Sequence, residues 1–161
     1  MSMQEKYDAV DELLDIIAKL IAVYTDFQAL NTKKQQVLAT GTLTELQRSI
    51  QQEEDVVAAI ALLEERRAVL QNTIDGSHVS LRQLIALLEE PRKGRALSLA
   101  QELGHAIQAV EAMQDANVML LHTLLNFVKH KRNLLYQVST VPDYGTSNHF
   151  VNNRSIINKV I

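Results

Sequence analysis

Glycine and proline are scarce in this chain: its 161 residues include 5 Gly and 2 Pro, whereas average proteins contain about 7% and 5%. Aromatic residues make up 4% and tryptophan is absent. A β-sandwich or barrel needs a turn about every ten residues and strands rich in β-branched and aromatic side chains. The glycine-rich phosphate-binding motifs of α/β folds, GxGxxG and GxxxxGK, do not occur either. The composition therefore predicts an all-α chain with long, uninterrupted helices.

Cysteine is also absent, which excludes disulfide bonds and thiolate metal ligands. The formal net charge is -3, so the basic excess of nucleic-acid-binding proteins is missing. No apolar run approaches the roughly 18 residues of a membrane span, and the acidic N-terminus does not resemble a signal peptide. We therefore expect a cytoplasmic protein with no nucleic-acid partner and no direct membrane insertion.

The few helix breakers divide the chain into helical blocks. The first block covers roughly residues 4–38, where Val10, Ile17 and Tyr24 recur every seven residues beside a second apolar series. Two adjacent series make an apolar face broad enough to contact two partner helices. Gly41 ends this helix, and Thr42 and Glu45 have the spacing of a capping box for the next one.

The second helix is predicted to run to about Ile74, with Gly76 just past its C-terminus. The short connection between these two helices favours an antiparallel hairpin. A short third helix is predicted for Leu81–Glu90, ended by Pro91, and residues 92–95 are predicted to form a solvated turn. A long fourth helix is predicted for about Ala96–Val138.

The predicted fold is thus all-α, an elongated antiparallel helical hairpin or bundle of three long helices plus one short helix. Residues 1–141 are predicted to form the bundle domain and residues 142–161 a flexible C-terminal tail. The tail contains four asparagines, which favour turns. It also contains apolar residues at helical spacing, namely Phe150, Val151, Ile156, Ile157, Val160 and Ile161. Two alternatives stay open: the tail packs back on the bundle, or it folds onto a partner.

Candidate catalytic and metal-binding patterns are incomplete. Glu102 and His105 have the Glu-x-x-His spacing of di-iron bundles, but those sites need two such motifs and two further glutamates. The neighbouring pairs Glu53-Glu54 and Glu64-Glu65 point about 100° apart on a helix, so we expect a solvated face rather than paired catalytic carboxylates. We therefore predict no enzyme, no cofactor, no metal site and no catalytic residue.

Asn117 occupies an inward position of the predicted fourth helix, where an apolar residue would be the simple choice. A buried asparagine lowers stability but can fix helix register or oligomeric state. The alternative is a boundary asparagine bonded to a neighbouring side chain. The sequence leaves these two interpretations open.

Three short motifs resemble those of the FlgN-type flagellar export chaperones, the family that escorts hook–filament junction proteins. Glu53-Glu54 followed by the LLEERR of residues 62–67 resembles the family's second-helix pattern. Asn117-Val-Met-Leu120-Leu121 is similar to its Asn-x-x-Leu-Leu motif, and Tyr144-Gly145 is similar to its Tyr-Gly element. The chain departs from the pattern at Asp55, where the family often has Lys, and at Asn148, where it often has a second glycine.

The resemblance implies a cytoplasmic chaperone that covers the C-terminal amphipathic helices of hook–filament junction proteins, prevents their premature assembly and delivers them to the export gate. It implies a docking role for Tyr144 and Gly145 on the cytosolic domain of the large export-gate membrane protein, and a structural role for Asn117, Leu120 and Leu121. The last helix and the tail would bind the client through Leu134, Leu135, Val138, Phe150, Val151, Ile156, Ile157, Val160 and Ile161.

Two other hypotheses remain open from the sequence. The first is a structural coiled-coil adaptor that homo-oligomerises through the broad apolar face of helix 1, and a homodimer is compatible with either function. The second is a metal-dependent bundle enzyme that uses Glu102 and His105.

Overall fold

The computed structural model describes residues 1–76 and 80–139, and no strand occurs within these ranges. Four helices follow one another: α1 (Met3–Thr40), α2 (Leu43–Asp75), α3 (Leu81–Ala86) and α4 (Arg92–Ser139). The prediction of an all-α fold with three long helices and one short helix is therefore confirmed. The chain divides into two compact units, Met1–Leu124 and a second unit that begins at Leu125. The predicted domain boundary after residue 141 lies outside the described residues.

Both long N-terminal helices begin with a reciprocal cap. The backbone N–H of Glu5 donates to Ser2 Oγ at 3.2 Å, and the backbone N–H of Ser2 donates to the Glu5 carboxylate at 2.6 Å. Thr42 and Glu45 repeat this arrangement at 3.2 and 2.7 Å, so the predicted capping box is confirmed. The hydrogen bond from the Thr42 backbone N–H lowers the pKa of the Glu45 carboxyl below its usual range.

The second helix ends as the sequence predicts, at a left-handed glycine. Gly76 has φ 69° and donates its backbone N–H to the Asn72 carbonyl oxygen at 2.8 Å. Side chains with a Cβ atom are strained in this conformation, whereas glycine adopts it readily. The identity of residue 76 therefore sets where α2 stops.

The boundary between α3 and α4 differs from the prediction. Helix α3 ends at Ala86 rather than Glu90, because Leu87 and Leu88 bond the carbonyl oxygens of Leu84 and Ile85 in tighter, three-residue turns. Residues 92–95 are the first turn of α4 and not a solvated turn. Proline is tolerated at a helix start, where its missing N–H has no partner to lose. Pro91 thus stands at the beginning of α4.

Ion pairs define how the helices of the first unit run. Lys34 contacts Glu53 and Glu12 contacts Arg66, so the residue numbers rise on α1 as they fall on α2. These helices form the predicted antiparallel hairpin. Asp11 and Asp15 of α1 bind Arg92 and Arg95, in the first turn of α4. Since both numbers rise together here, α1 and the first part of α4 run parallel.

The hydrophobic core of the first unit is centred on α1. Val10, Leu13, Leu14, Ile17 and Leu20 are at most 2% exposed. They pack against residues from every other helix, namely Leu70, Ile74, Leu84, Ile85, Ala96 and Leu103. The apolar face of α1 from Val10 to Leu20 is therefore covered by its own chain. The coiled-coil adaptor hypothesis requires this face to be exposed, so its burial argues against that hypothesis.

Candidate functional site

Apolar side chains in the second unit are solvent-exposed. Residues 125–137 all have exposed side chains, and the large apolar ones are Leu125, Phe127, Val128, Leu134, Leu135 and Tyr136, between 47% and 69% exposed. Phe127 and Leu134 are seven residues apart, and so are Val128 and Leu135, which places these four in two adjacent rows along α4. We call these four residues the apolar double row. Exposed apolar clusters of this kind mark interaction surfaces.

The charged residues around the apolar double row are all basic. Residues 125–137 contain Lys129, Lys131 and Arg132 and contain no Asp or Glu. The Lys131 ammonium group lies 4.9 Å from the centre of the Phe127 ring, a cation–π distance. A partner with an apolar stripe flanked by acidic residues would complement this surface in both shape and charge.

The structure describes only part of the predicted client-binding set. Leu134 and Leu135 are exposed on the double row, at 47% and 69%. Val138 lies in α4, but its side chain is outside the described part of the chain. Tyr144, Gly145 and the apolar tail residues from Phe150 to Ile161 also lie outside the described residues. The binding roles of all these residues stay predictions.

The structure settles the position of Asn117, which is buried at 4% exposure. Its Nδ2 donates to both the backbone carbonyl oxygen and the side-chain Oδ1 of Asn31, each at 3.2 Å. Of its two neighbours in the Asn-x-x-Leu-Leu motif, Leu120 is half-buried and Leu121 is 41% exposed. Asn117 therefore joins α4 to α1 through a buried amide contact.

Asn31, which is fully buried, was not predicted as part of this site. The sequence does indicate this position, since Asn31 follows Val10, Ile17 and Tyr24 at the same seven-residue spacing. Asn117 follows Leu103 and Val110 at that spacing in α4. An asparagine that replaces an apolar residue in each of two such series indicates that the two asparagines face each other in a bundle.

Glu53 is also placed differently from the prediction. Its carboxylate is 14% exposed and binds the Lys34 ammonium at 2.7 Å, so it lies in the interface of α1 and α2 and not on a solvated face. Glu64 pairs with Arg67 at 2.6 Å along the same helix. One glutamate of each neighbouring pair, Glu53 and Glu64, thus makes an ion pair with another residue of the bundle.

The proposed metal ligands do not form a site in the described chain. Glu102 and His105 are both exposed, and Glu102 accepts a hydrogen bond from Ser98 Oγ at 3.2 Å. Within residues 1–76 and 80–139, no three His, Asp or Glu side chains are grouped closely enough to hold a metal ion. In the same ranges, no helix combines the length and the apolarity that crossing a membrane requires.

Comparison with protein families gives one match. The family model described as FlgN protein matches residues 1–146, which include all four helices and the Tyr144-Gly145 element. Searches of curated proteins and of solved structures give no match. The match confirms the resemblance carried by the three short motifs, and the family consists of chaperones rather than enzymes. The chain belongs to the FlgN family, and its function is, in broad terms, that of a flagellar export chaperone.

Proposed function

We propose that this protein is a cytoplasmic chaperone that binds the C-terminal amphipathic helices of hook–filament junction proteins and delivers them to the flagellar export gate. The observation that carries this proposal is the exposed apolar double row of Phe127, Val128, Leu134 and Leu135. Two rows with a seven-residue repeat are the pattern that an amphipathic helix recognises in helix-in-groove binding.

The division of the chain into two compact units fits this role. The first unit buries the α1 residues from Val10 to Leu20 in its own core. The second unit presents apolar side chains that a client helix would cover. Burial of an exposed leucine or phenylalanine side chain is worth about 1.5–3 kcal/mol, so a few such anchors can hold a helix.

We propose that the tail, residues 142–161, adds further client contacts to those of the apolar double row. Phe150, Val151, Ile156, Ile157, Val160 and Ile161 would add anchors to the client once its helix is seated on α4. Tyr144 and Gly145 would dock on the cytosolic domain of the large export-gate membrane protein, because the family's Tyr-Gly element suggests that role. Tyrosine is common at binding hot spots, since its large ring loses little conformational entropy.

The deciding experiment is capture of purified junction subunits by three forms of the chain. These are the full-length protein, a deletion of residues 142–161 and the double variant Leu134→Ser/Leu135→Ser. We expect both altered forms to lose most of their client affinity while keeping full helicity by circular dichroism. The matched control is Leu62→Ser, which alters a leucine on α2 that is 69% exposed. Unchanged capture by both altered forms would refute this binding surface.

The gate-binding step has its own test. Tyr144→Ala should retain client affinity and lose binding to the export-gate cytosolic domain. A parallel loss of both activities would show that Tyr144 has no separate docking role.

A further inference from the structure

Lys131 lies at the centre of the apolar double row. It follows Phe127 by four residues and Val128 by three, and it precedes Leu134 by three and Leu135 by four. Residues three and four positions apart are surface neighbours on an α-helix, so all four members of the double row surround this lysine. The face of α4 that a client helix would cover therefore carries a positive charge at its middle.

The Lys131 ammonium group lies against this face. Its Nζ atom is 4.9 Å from the centre of the Phe127 ring, so the side chain runs back over the double row toward a residue one turn earlier. Lysines at the edge of an apolar face extend their ammonium group into water, but Lys131 has apolar neighbours on both sides. Within residues 1–76 and 80–139, all five ion pairs involve other side chains. The Phe127 ring and solvent therefore stabilise this charge.

A client helix seated on the double row would displace that solvent. A buried charge without a partner is strongly unfavourable, so the ammonium group needs a new partner in the complex. The backbone carbonyl oxygens inside a client helix already accept hydrogen bonds from that helix, which leaves side chains. Amide and hydroxyl oxygens accept from an ammonium group but do not balance its charge. A carboxylate does both.

We propose that the client helix carries an aspartate or glutamate within its apolar stripe, and that this carboxylate pairs with Lys131 in the complex. One such pair would also set the register of the bound helix, because every other alignment leaves two charges buried without partners. The inference rests on the proposed function, since the client helix supplies the carboxylate.

Three other occupants of this face fit its charges less well. A second copy of the chain would present the same surface, and residues 125–137 contain no Asp or Glu, so two copies would bring like charges together. Residues 140–161 of the chain itself contain one acidic residue, Asp143, beside the basic Arg154 and Lys159. Helices that bind an anionic membrane surface carry their basic residues on the polar face, whereas Lys131 lies within the apolar one.

The test is an exchange of charges between the full-length chain and a purified junction subunit. In the chain, Lys131→Glu reverses the central charge, and the matched control Lys129→Glu makes the same change two residues away, on the opposite side of α4. In the client, each Asp and Glu of the C-terminal helix is changed singly to Lys. We expect Lys131→Glu to weaken capture of the native client on the order of a hundredfold, because it brings two carboxylates into contact. Lys129→Glu should weaken capture by no more than about fivefold.

One client substitution should then restore binding. The client in which the paired acid is changed to Lys should bind Lys131→Glu nearly as tightly as the native client binds the wild-type chain, and it should bind the wild-type chain poorly. Circular dichroism and thermal unfolding check that both variants of the chain are folded. Lys131 is exposed, so its substitution is expected to change stability little.

The outcomes separate this inference from the proposed function. If the wild-type chain captures no junction subunit, both are overturned. If it captures the client, but Lys131→Glu binds equally well or no client substitution restores binding to that variant, only the carboxylate pair is overturned. Equal weakening by Lys129→Glu and Lys131→Glu overturns it too, since that result indicates a general attraction between a basic helix and an anionic surface. Restoration by Asp143→Lys in the chain, instead of by a client substitution, would assign the carboxylate to the tail.

Discussion

Arg92 binds Asp11 through two parallel hydrogen bonds, from Nε to Oδ1 and from Nη2 to Oδ2, each 2.8 Å long. The same guanidinium group lies 4.6 Å from the centre of the Tyr7 ring. One turn further, Arg95 binds Asp15 at 2.7 Å. The partners are about 80 residues apart in the chain, so these pairs fix the start of α4 against α1.

The Arg92 contact should depend on the planar guanidinium group and not on charge alone. Arg92→Lys keeps the charge but cannot make two parallel hydrogen bonds to one carboxylate. We expect a lower urea midpoint for this variant than for the wild type. The matched control is Arg66→Lys, since both Arg66 bonds go to a single oxygen of Glu12 on a more exposed surface. Equal urea midpoints for the two variants would show that the bidentate geometry of the Arg92 contact does not contribute to stability.

The Asp11 pair should also make stability depend on acid pH. The hydrogen bond from Arg92 lowers the pKa of the Asp11 carboxyl below its ordinary value of 3.8. A lowered pKa in the folded state means that the stabilisation is fully present above that ordinary value and is lost as pH falls through the lowered pKa. The difference in unfolding free energy between the wild type and Asp11→Asn should therefore be constant near neutral pH and shrink below about pH 4.

A background substitution checks the cause of this pH effect. In Arg92→Gln, the change Asp11→Asn should give a much smaller pH-dependent difference, because the donor that lowers the pKa is gone. A difference of the same size in both backgrounds would assign the effect to another group.

Local chemistry explains which features could be predicted from the sequence. The cap of α2 requires only Thr42 and Glu45, three residues apart, and its end requires only the left-handed Gly76. Both ends of α2 can therefore be predicted without knowledge of the tertiary fold. The helical start at residues 92–95 was missed because what holds it in place is the carboxylates of Asp11 and Asp15, which no local pattern reveals.

The candidate site also combines features that local sequence predicts with features that depend on the tertiary fold. The exposed leucines 134 and 135 belong to a seven-residue pattern that the sequence displays directly. The contact between Asn31 and Asn117 joins residues 86 positions apart, and it depends on how α1 and α4 pack against each other. Periodicity indicates that each asparagine points inward, but it does not specify which of the two amides donates and which accepts.

Two glycines should respond to alanine in opposite directions. Gly76 has a left-handed conformation, so Gly76→Ala should destabilise the fold by about 1–2 kcal/mol. Gly104 lies inside α4, and a Cβ atom added there meets no described atom within 4 Å. Gly104→Ala should therefore stabilise the protein by about 1 kcal/mol through helix propensity. Thermal unfolding of both variants gives the signs, and a destabilising Gly104→Ala would contradict an open environment at that position.

The cap of α2 should be sensitive to a single hydroxyl group. Thr42→Ala removes the oxygen that accepts from the Glu45 backbone N–H, which we expect to lower the unfolding free energy by about 1 kcal/mol. Thr42→Ser keeps that oxygen and should have little effect. Urea denaturation measures both values, and equal losses for alanine and serine would show that the threonine methyl group, and not the cap, is responsible.

Stability and client binding should be separable, because they depend on different faces of the helices. Ile17 is fully buried in the core of the first unit, so Ile17→Val should lower the unfolding free energy by about 0.5–1.5 kcal/mol. Its affinity for junction subunits, measured well below the melting temperature, should match the wild type. Leu134 is 47% exposed, and Leu134→Ser should change stability by no more than about 0.5 kcal/mol while weakening client binding. If Ile17→Val weakened binding as much as Leu134→Ser, the client would be sensing the stability of the bundle rather than the apolar double row.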